Sequence, residues 1–228
     1  MQSLRYNPFN QIHKGLRALL YNTALQIQHT DFSDDYATRQ TLEKVELVIW
    51  LFEGHAHVED TMVFPLIEKH APEVVTDFET QHVEDHHLSE VLVEAVTQCK
   101  KAATIDAKFV AARDLLLAFN DFLAFNVKHM NQEETIVNSH IWEHYSDDEL
   151  LEHGKEIVKS IPPEKNGHYS KWMLLGLNNH EIAVWFTTIK NMAPLPVVNM
   201  FYELAEKELD ADRWNIIKNA LNEDVLIA

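Results

Sequence analysis

The chain has 228 residues and an apolar share of 46%, enough to bury a sizeable core and too much for a disordered segment. Its formal net charge of -17 argues against nucleic acid and anionic membranes as partners, because like charges repel. Cys99 is the only cysteine, so no internal disulfide can form, and no apolar run approaches the ~20 residues of a membrane span. Together with an N-terminus that has no apolar signal core, this predicts a reducing cytoplasmic location.

Helical spacing dominates in chain order. A first helix is expected from Asn7 to about Gln28, opened by Asn7 as cap and Pro8 at the first helical position, with Leu16, Leu19, Leu20 and Leu25 as its apolar stripe. A second runs from about Asp35 to His70 over Leu42, Val45, Val48, Ile49 and Phe52, and Pro65 should kink or end it. Thr76 and Glu79 read as a capping box opening a third helix that ends near Lys101. A fourth spans Lys108 to about Ser139, with Leu115, Phe119, Phe122 and Val127. Four amphipathic helices with short connections predict an all-α, antiparallel up-down four-helix bundle over residues 1–145.

The pattern shortens after Tyr145. Ser146 with Glu149 and Asn178 with Glu181 read as capping boxes, "SIPPEKNG" and "APLP" as breaks, and Asp210 as the start of a last helix. Residues 146–228 are expected to be a helical extension packed on the bundle, available to a protein partner or to self-association.

The informative excess is histidine. The chain has 14, of which 11 precede position 146. His55 and Glu59, His82 and His86, and His129 and Glu133 are each four apart, so the members of each pair leave one face of a helix. His13 stands near the start of the first helix. Three such pairs and a lone histidine on four helices can converge only inside a bundle. Imidazole and carboxylate on facing helices commonly hold two metal ions there. A donor set of nitrogen and oxygen without thiolate suits iron, manganese or zinc.

The stretches "HKGLR" (13–17), "HAHVEDTMVFP" (55–65), "ETQHVEDHH" (79–87) and "HMNQEE" (129–134) together resemble the hemerythrin-like HHE cation-binding domain. The resemblance covers about the first 140 residues. It implies two iron ions, oxo- or hydroxo-bridged, with other divalent metals as substitutes and one coordination position open to dioxygen or another diatomic ligand. The implied ligands are His13, His55, His82, His86 and His129, bridged by Glu59 and Glu133. Oxygen-carrying members usually end with His and Asp five apart; here His129 and Glu133 are four apart, as in bacterial relatives whose role is not simple oxygen carriage.

The resemblance implies a metal protein that senses, binds or stores dioxygen, nitric oxide or iron, rather than an enzyme. A di-iron redox enzyme acting on peroxide or nitric oxide stays open, although no flavin, haem or iron–sulfur motif supplies electrons. So does a helical interaction module with a structural or lost metal site. His57 and Asp60 neighbour the proposed ligands but are expected on another face of the helix. His29, sixteen residues after His13, is placed for an alternative site at the far end of the bundle; whether it or His57 replaces one of the implied ligands stays open, and His87 reads as exposed. Cys99 reads as a core filler, Tyr21 as a helix-interface residue, and Trp172, Trp185 and Trp214 as core anchors of the extension.

Overall fold

The structure is a computed structural model, and it describes residues 5–222. No strand occurs among those residues. The first elements are α1 (Asn10–His29), α2 (Asp35–Val58), a π-turn (Glu59–Val63) and α3 (Phe64–Ile67). Next come α4 (Pro72–Lys101), α5 (Ile105–Gln132), a second π-turn (Glu133–Val137) and α6 (Asn138–His144). The chain then runs through α7 (Asp147–Ser160), α8 (Pro163–Gly176), α9 (Asn179–Met192), α10 (Leu195–Glu208) and α11 (Ala211–Asn222).

The caps show where local chemistry decided the boundaries. Asp34 accepts hydrogen bonds from the amides of Tyr36 and Ala37 and starts α2. Thr104 accepts from the amide of Ala107 and starts α5 three residues before Lys108. The capping boxes at Ser146–Glu149 and Asn178–Glu181 form as expected. The one expected at Thr76 does not. α4 already begins at Pro72, whose missing N–H costs nothing in a first turn, and the Thr76 hydroxyl donates back to the Pro72 carbonyl at 3.0 Å. At the other end of the second predicted helix, Pro65 sits in the first turn of α3, and the helix changes its winding earlier, at Glu59.

Contacts divide the chain into two compact units: Met1–Asn10 with Leu19–Lys165, and Gln11–Ala18 with Asn166–Ala228. The division falls after Lys165, twenty residues beyond the expected bundle end at 145, because α7 packs in the first unit. Arg5 Nε donates to Asp147 at 2.6 Å, His153 Nε2 lies 2.9 Å from the Met62 carbonyl, and Leu150 shares a core with Phe9, Phe64, Phe78 and Ile141. Residues 1–4 and 223–228, at the ends of the two expected domains, lie outside the described residues.

The first unit holds an antiparallel bundle. Across α1 and α2, Lys44 reaches Asn22 while Gln26 meets Thr41 at 3.2 Å, so the numbers rise on one helix as they fall on the other. The same inversion relates α2 to α4 through Lys100–Glu46 (2.5 Å), with the first π-turn further along at Asp60–His82 (2.7 Å), and α4 to α5 through Gln81–His129 (2.9 Å) and Asp85–Asn126 (2.6 Å). Leu42, Val45, Phe52, Leu92, Leu115, Phe119 and Phe122 fill the interior, with Phe52 and Phe122 meeting edge to face at 5.3 Å. Leu25, expected in the α1 stripe, is instead exposed.

The second unit has an apolar core. Phe186 packs against Trp185, Phe201, Tyr202 and Trp214 with ring centroids 5.6–6.1 Å away, and Ile182, Ala183, Ile217 and Leu174 close around them. The segment Gln11–Ala18 crosses α8 closely. A methyl group on Gly15 would lie 2.7 Å from the Met173 amide, and one on Gly176 would collide with the Lys14 carbonyl.

Candidate metal centre

Four of the sequence-predicted donors form one group in the first unit. Ligand atoms of Glu59, His82, His129 and Glu133 lie within 4.8 Å of one another. A second convergence shares both glutamates: donor atoms of His55, Glu59 and Glu133 also lie within 4.8 Å of one another. His55 Nε2 is 3.0 Å from Glu59 Oε1, His129 Nε2 is 3.3 Å from Glu133 Oε1, and His82 Nε2 is 3.5 Å from Glu59 Oε2. Two carboxylates that are 1% and 0% exposed are costly to bury unless cations or donors compensate them. His13, on α1, is wholly buried.

The two π-turns explain why these side chains share a face. His55, Glu59, Val63 and Ile67 are all buried, and so are His129, Glu133, Val137 and Ile141. Steps of four advance about 40° each on a regular α-helix, so three steps would carry the last residue off the core. A π-turn takes up one extra residue and returns the later positions to the face they started from. Each turn begins at the glutamate itself, with the Phe64 amide bonding the Glu59 carbonyl and the Asn138 amide the Glu133 carbonyl. The parallel extends to Thr61 and Thr135, whose hydroxyls donate to the carbonyls of His57 (2.6 Å) and Asn131 (2.8 Å).

His86 is not brought to the group. Its side chain is 67% exposed and faces Glu90 at 3.7 Å. α4 has no π-turn, and its inward positions alternate by three and four: Val75, Phe78, His82, Asp85, Ser89, Leu92, Val96, Cys99. The residue one turn after His82 that faces the interior is therefore Asp85. Asp85 accepts a hydrogen bond from Asn126 Nδ2 at 2.6 Å, and burial raises its carboxyl above the usual range despite that bond. Its alternation with the apolar positions was the signal available in the sequence.

Behind the donors stand residues that the sequence reading set aside or missed. Asp60 Oδ1 lies 2.7 Å from His82 Nδ1, and Gln81 Oε1 lies 2.9 Å from His129 Nδ1. Burial alone would depress the His82 imidazole. The hydrogen bond and charge of Glu59 and the charge and hydrogen bond of Asp60 outweigh it and push the ring up to about 9. Phe64 stacks on His82 at 5.3 Å, and Phe125 stacks on His129 at 6.0 Å, so the outer walls are apolar. His29, His57 and Tyr21 are exposed and Cys99 is buried. No helix among the described residues is long and apolar enough to cross a membrane.

The donor chemistry fits a cation of the hard-to-borderline class, with neutral imidazole and carboxylate and no thiolate. The comparisons point the same way. The family model described as hemerythrin, the HHE cation-binding domain, matches residues 6–141. No curated protein and no solved structure matches the chain.

Proposed function

Because the chain belongs to the hemerythrin family of HHE cation-binding domains over residues 6–141, we propose that it holds two iron ions and uses them to bind or sense a diatomic ligand such as dioxygen or nitric oxide. The observation that carries this reading is that Glu59 and Glu133 belong to both convergent donor groups. A carboxylate shared by two donor groups is suited to bridging two ions. His82 and His129 serve one ion, and His55 serves the other. His13 is the further imidazole that the family's pattern implies, and it is buried. Manganese and zinc are chemically admissible substitutes.

When bound, an iron pair supplies electrons to a diatomic ligand. The chain's own residues do the rest. Glu59 and Glu133 offset the cationic charge from a position closed to water. The imidazoles bind as neutral donors, so His82, raised to about 9 in the metal-free fold, must give up its extra proton first, and loading releases it. Phe64, Phe78 and Phe125 line His82 and His129 and keep the pocket apolar. A cytoplasmic location is the corresponding proposal, resting on the single buried thiol of Cys99.

The test is metal analysis of the full chain purified without oxygen from iron-supplemented cells, followed by exposure to nitric oxide and to dioxygen. Two irons per chain and a ligand-dependent change in the visible spectrum are expected. A chain that takes up no iron, manganese or zinc on reconstitution contradicts the proposal.

A further inference from the structure

Two contacts at the back of the donor group lie outside the ligand set, and they differ in charge. His82 Nδ1 meets the carboxylate of Asp60, and His129 Nδ1 meets the side-chain carbonyl of Gln81. A carboxylate and an amide oxygen only accept, so in both contacts Nδ1–H is the donor. Nδ1 is thereby committed outward in each ring, and Nε2 is the nitrogen turned inward. The two Nε2 atoms face each other at 3.2 Å. The phenyl faces of Phe64 and Phe125 restrict the tilt of the rings, and the Nδ1 hydrogen bonds decide which edge looks at the glutamates.

We propose that Asp60 and Gln81 are positioning residues that make His82 and His129 unequal donors, one backed by an anion and the other by a neutral amide. The inference rests on the reading of the cluster as a metal centre. The first π-turn builds the arrangement from neighbours in sequence: Glu59 approaches Nε2 of His82 while Asp60 approaches Nδ1 of the same ring. An anionic acceptor draws the Nδ1 proton further than an amide does, leaving Nε2 the stronger electron donor. His82 is therefore the stronger of the two donors to the ion they share, and its charge-backed ring favours the more highly charged state of that ion. The asymmetry lies in the residues behind the imidazoles, since the imidazoles themselves are chemically identical. The Asp60 side chain is 45% exposed, so it can be exchanged for an isostere without leaving a buried hole.

The test uses the full chain loaded anaerobically with ferrous iron. Asp60→Asn keeps the shape and removes the charge, and Gln81→Glu adds a charge behind the other ring. Iron affinity is read by competition with a chelator, and reduction potential by equilibration with redox dyes. Asp60→Asn is expected to weaken iron binding about 10- to 100-fold and to raise the potential. Gln81→Glu is expected to lower the potential. Opposite signs are the signature, because a merely structural disturbance has no reason to follow the sign of the charge. In wild-type chain loaded with zinc, nitrogen NMR should show His82 and His129 protonated at Nδ1. An Nε2-protonated ring at either position overturns the proposal, and that reading holds even if Asp60→Asn fails to fold. Unchanged affinity and potential in Asp60→Asn, or shifts of the same sign in both variants, also overturn it. A wild-type chain that binds no metal at all overturns the proposed function instead.

Discussion

The two units solve the problem of a stable interior in opposite ways. In the second unit Phe186, Trp214, Ile182 and Ile217 form an apolar cluster with no charge to neutralise, and their burial is stabilising. In the first unit the middle of the bundle holds Glu59, Glu133, Asp85, His55 and His129, a set that costs free energy to bury. A core of the first kind is judged by its fit. A core of the second kind makes physical sense as a site, and the difference teaches where each class of substitution should register. In the second unit it should register as stability, and in the first as binding.

The largest effect expected is in the apolar core. Phe186→Ala removes a ring with four aromatic neighbours and should cost about 3–5 kcal/mol, read as a shift in the denaturant midpoint of the second unit. At the centre, Glu133→Gln should break the pattern in the other direction. The metal-free protein should lose little stability or gain some, since a buried anion has gone. The metal-dependent gain in stability, about 4 kcal/mol at a thousandfold excess over Kd, should largely vanish, and with it the rise in melting temperature. A Glu133→Gln chain that unfolds as Phe186→Ala does, with normal metal binding, would erase the distinction between the two interiors.

The pH dependence sharpens the same contrast. His82 is raised from 6.5 to about 9 in the metal-free fold. A raised imidazole contributes stability that is fully present below pH 6.5 and is lost as pH rises through about 9. Metal must displace that proton, so its contribution grows over the same window. The gap between metal-loaded and metal-free melting temperatures should widen from pH 6.5 to 9, and His82→Gln should flatten it. Calorimetric scans of both forms across that range would show it, and a constant gap would count against the assignment of His82 as a ligand.

The smallest effects concern two glycines of α8. Gly176→Ala forces a methyl group into the Lys14 backbone, which can move only with its helix, and should cost about 1–3 kcal/mol. Gly167 has no atom within 4 Å of an added methyl. Gly167→Ala should stabilise by about 0.5–1 kcal/mol through helix propensity alone, which thermal melts of the two variants can separate.

The helices and most donors were legible in the sequence because they depend on local spacing and on residue type. His55, Glu59, His129 and Glu133 could be paired by counting four. What counting could not supply was the winding of the helix. The same step of four that works across the π-turns at Glu59 and Glu133 fails on the regular α4, which is why His86 looked like a ligand and is exposed while Asp85 faces inward. Asp60 was assigned to another face for the converse reason: a regular wheel hides that it and Glu59 grip one ring between them. The repeated fours continuing to Val63, Ile67, Val137 and Ile141 are the trace that the π-turns leave in the sequence. Thr76 illustrates a different limit, since a capping pattern inside a helix already started by Pro72 has nothing left to cap.

The central claim is that Glu59 and Glu133 join two donor groups into one centre. Its most direct test is an anaerobic titration of the full chain with ferrous iron, comparing wild type with a Glu59→Ala, Glu133→Ala double variant. The account predicts two tightly bound equivalents in the wild type and none in the double variant, with both chains helical and folded. Equal stoichiometry in the two folded chains would contradict it.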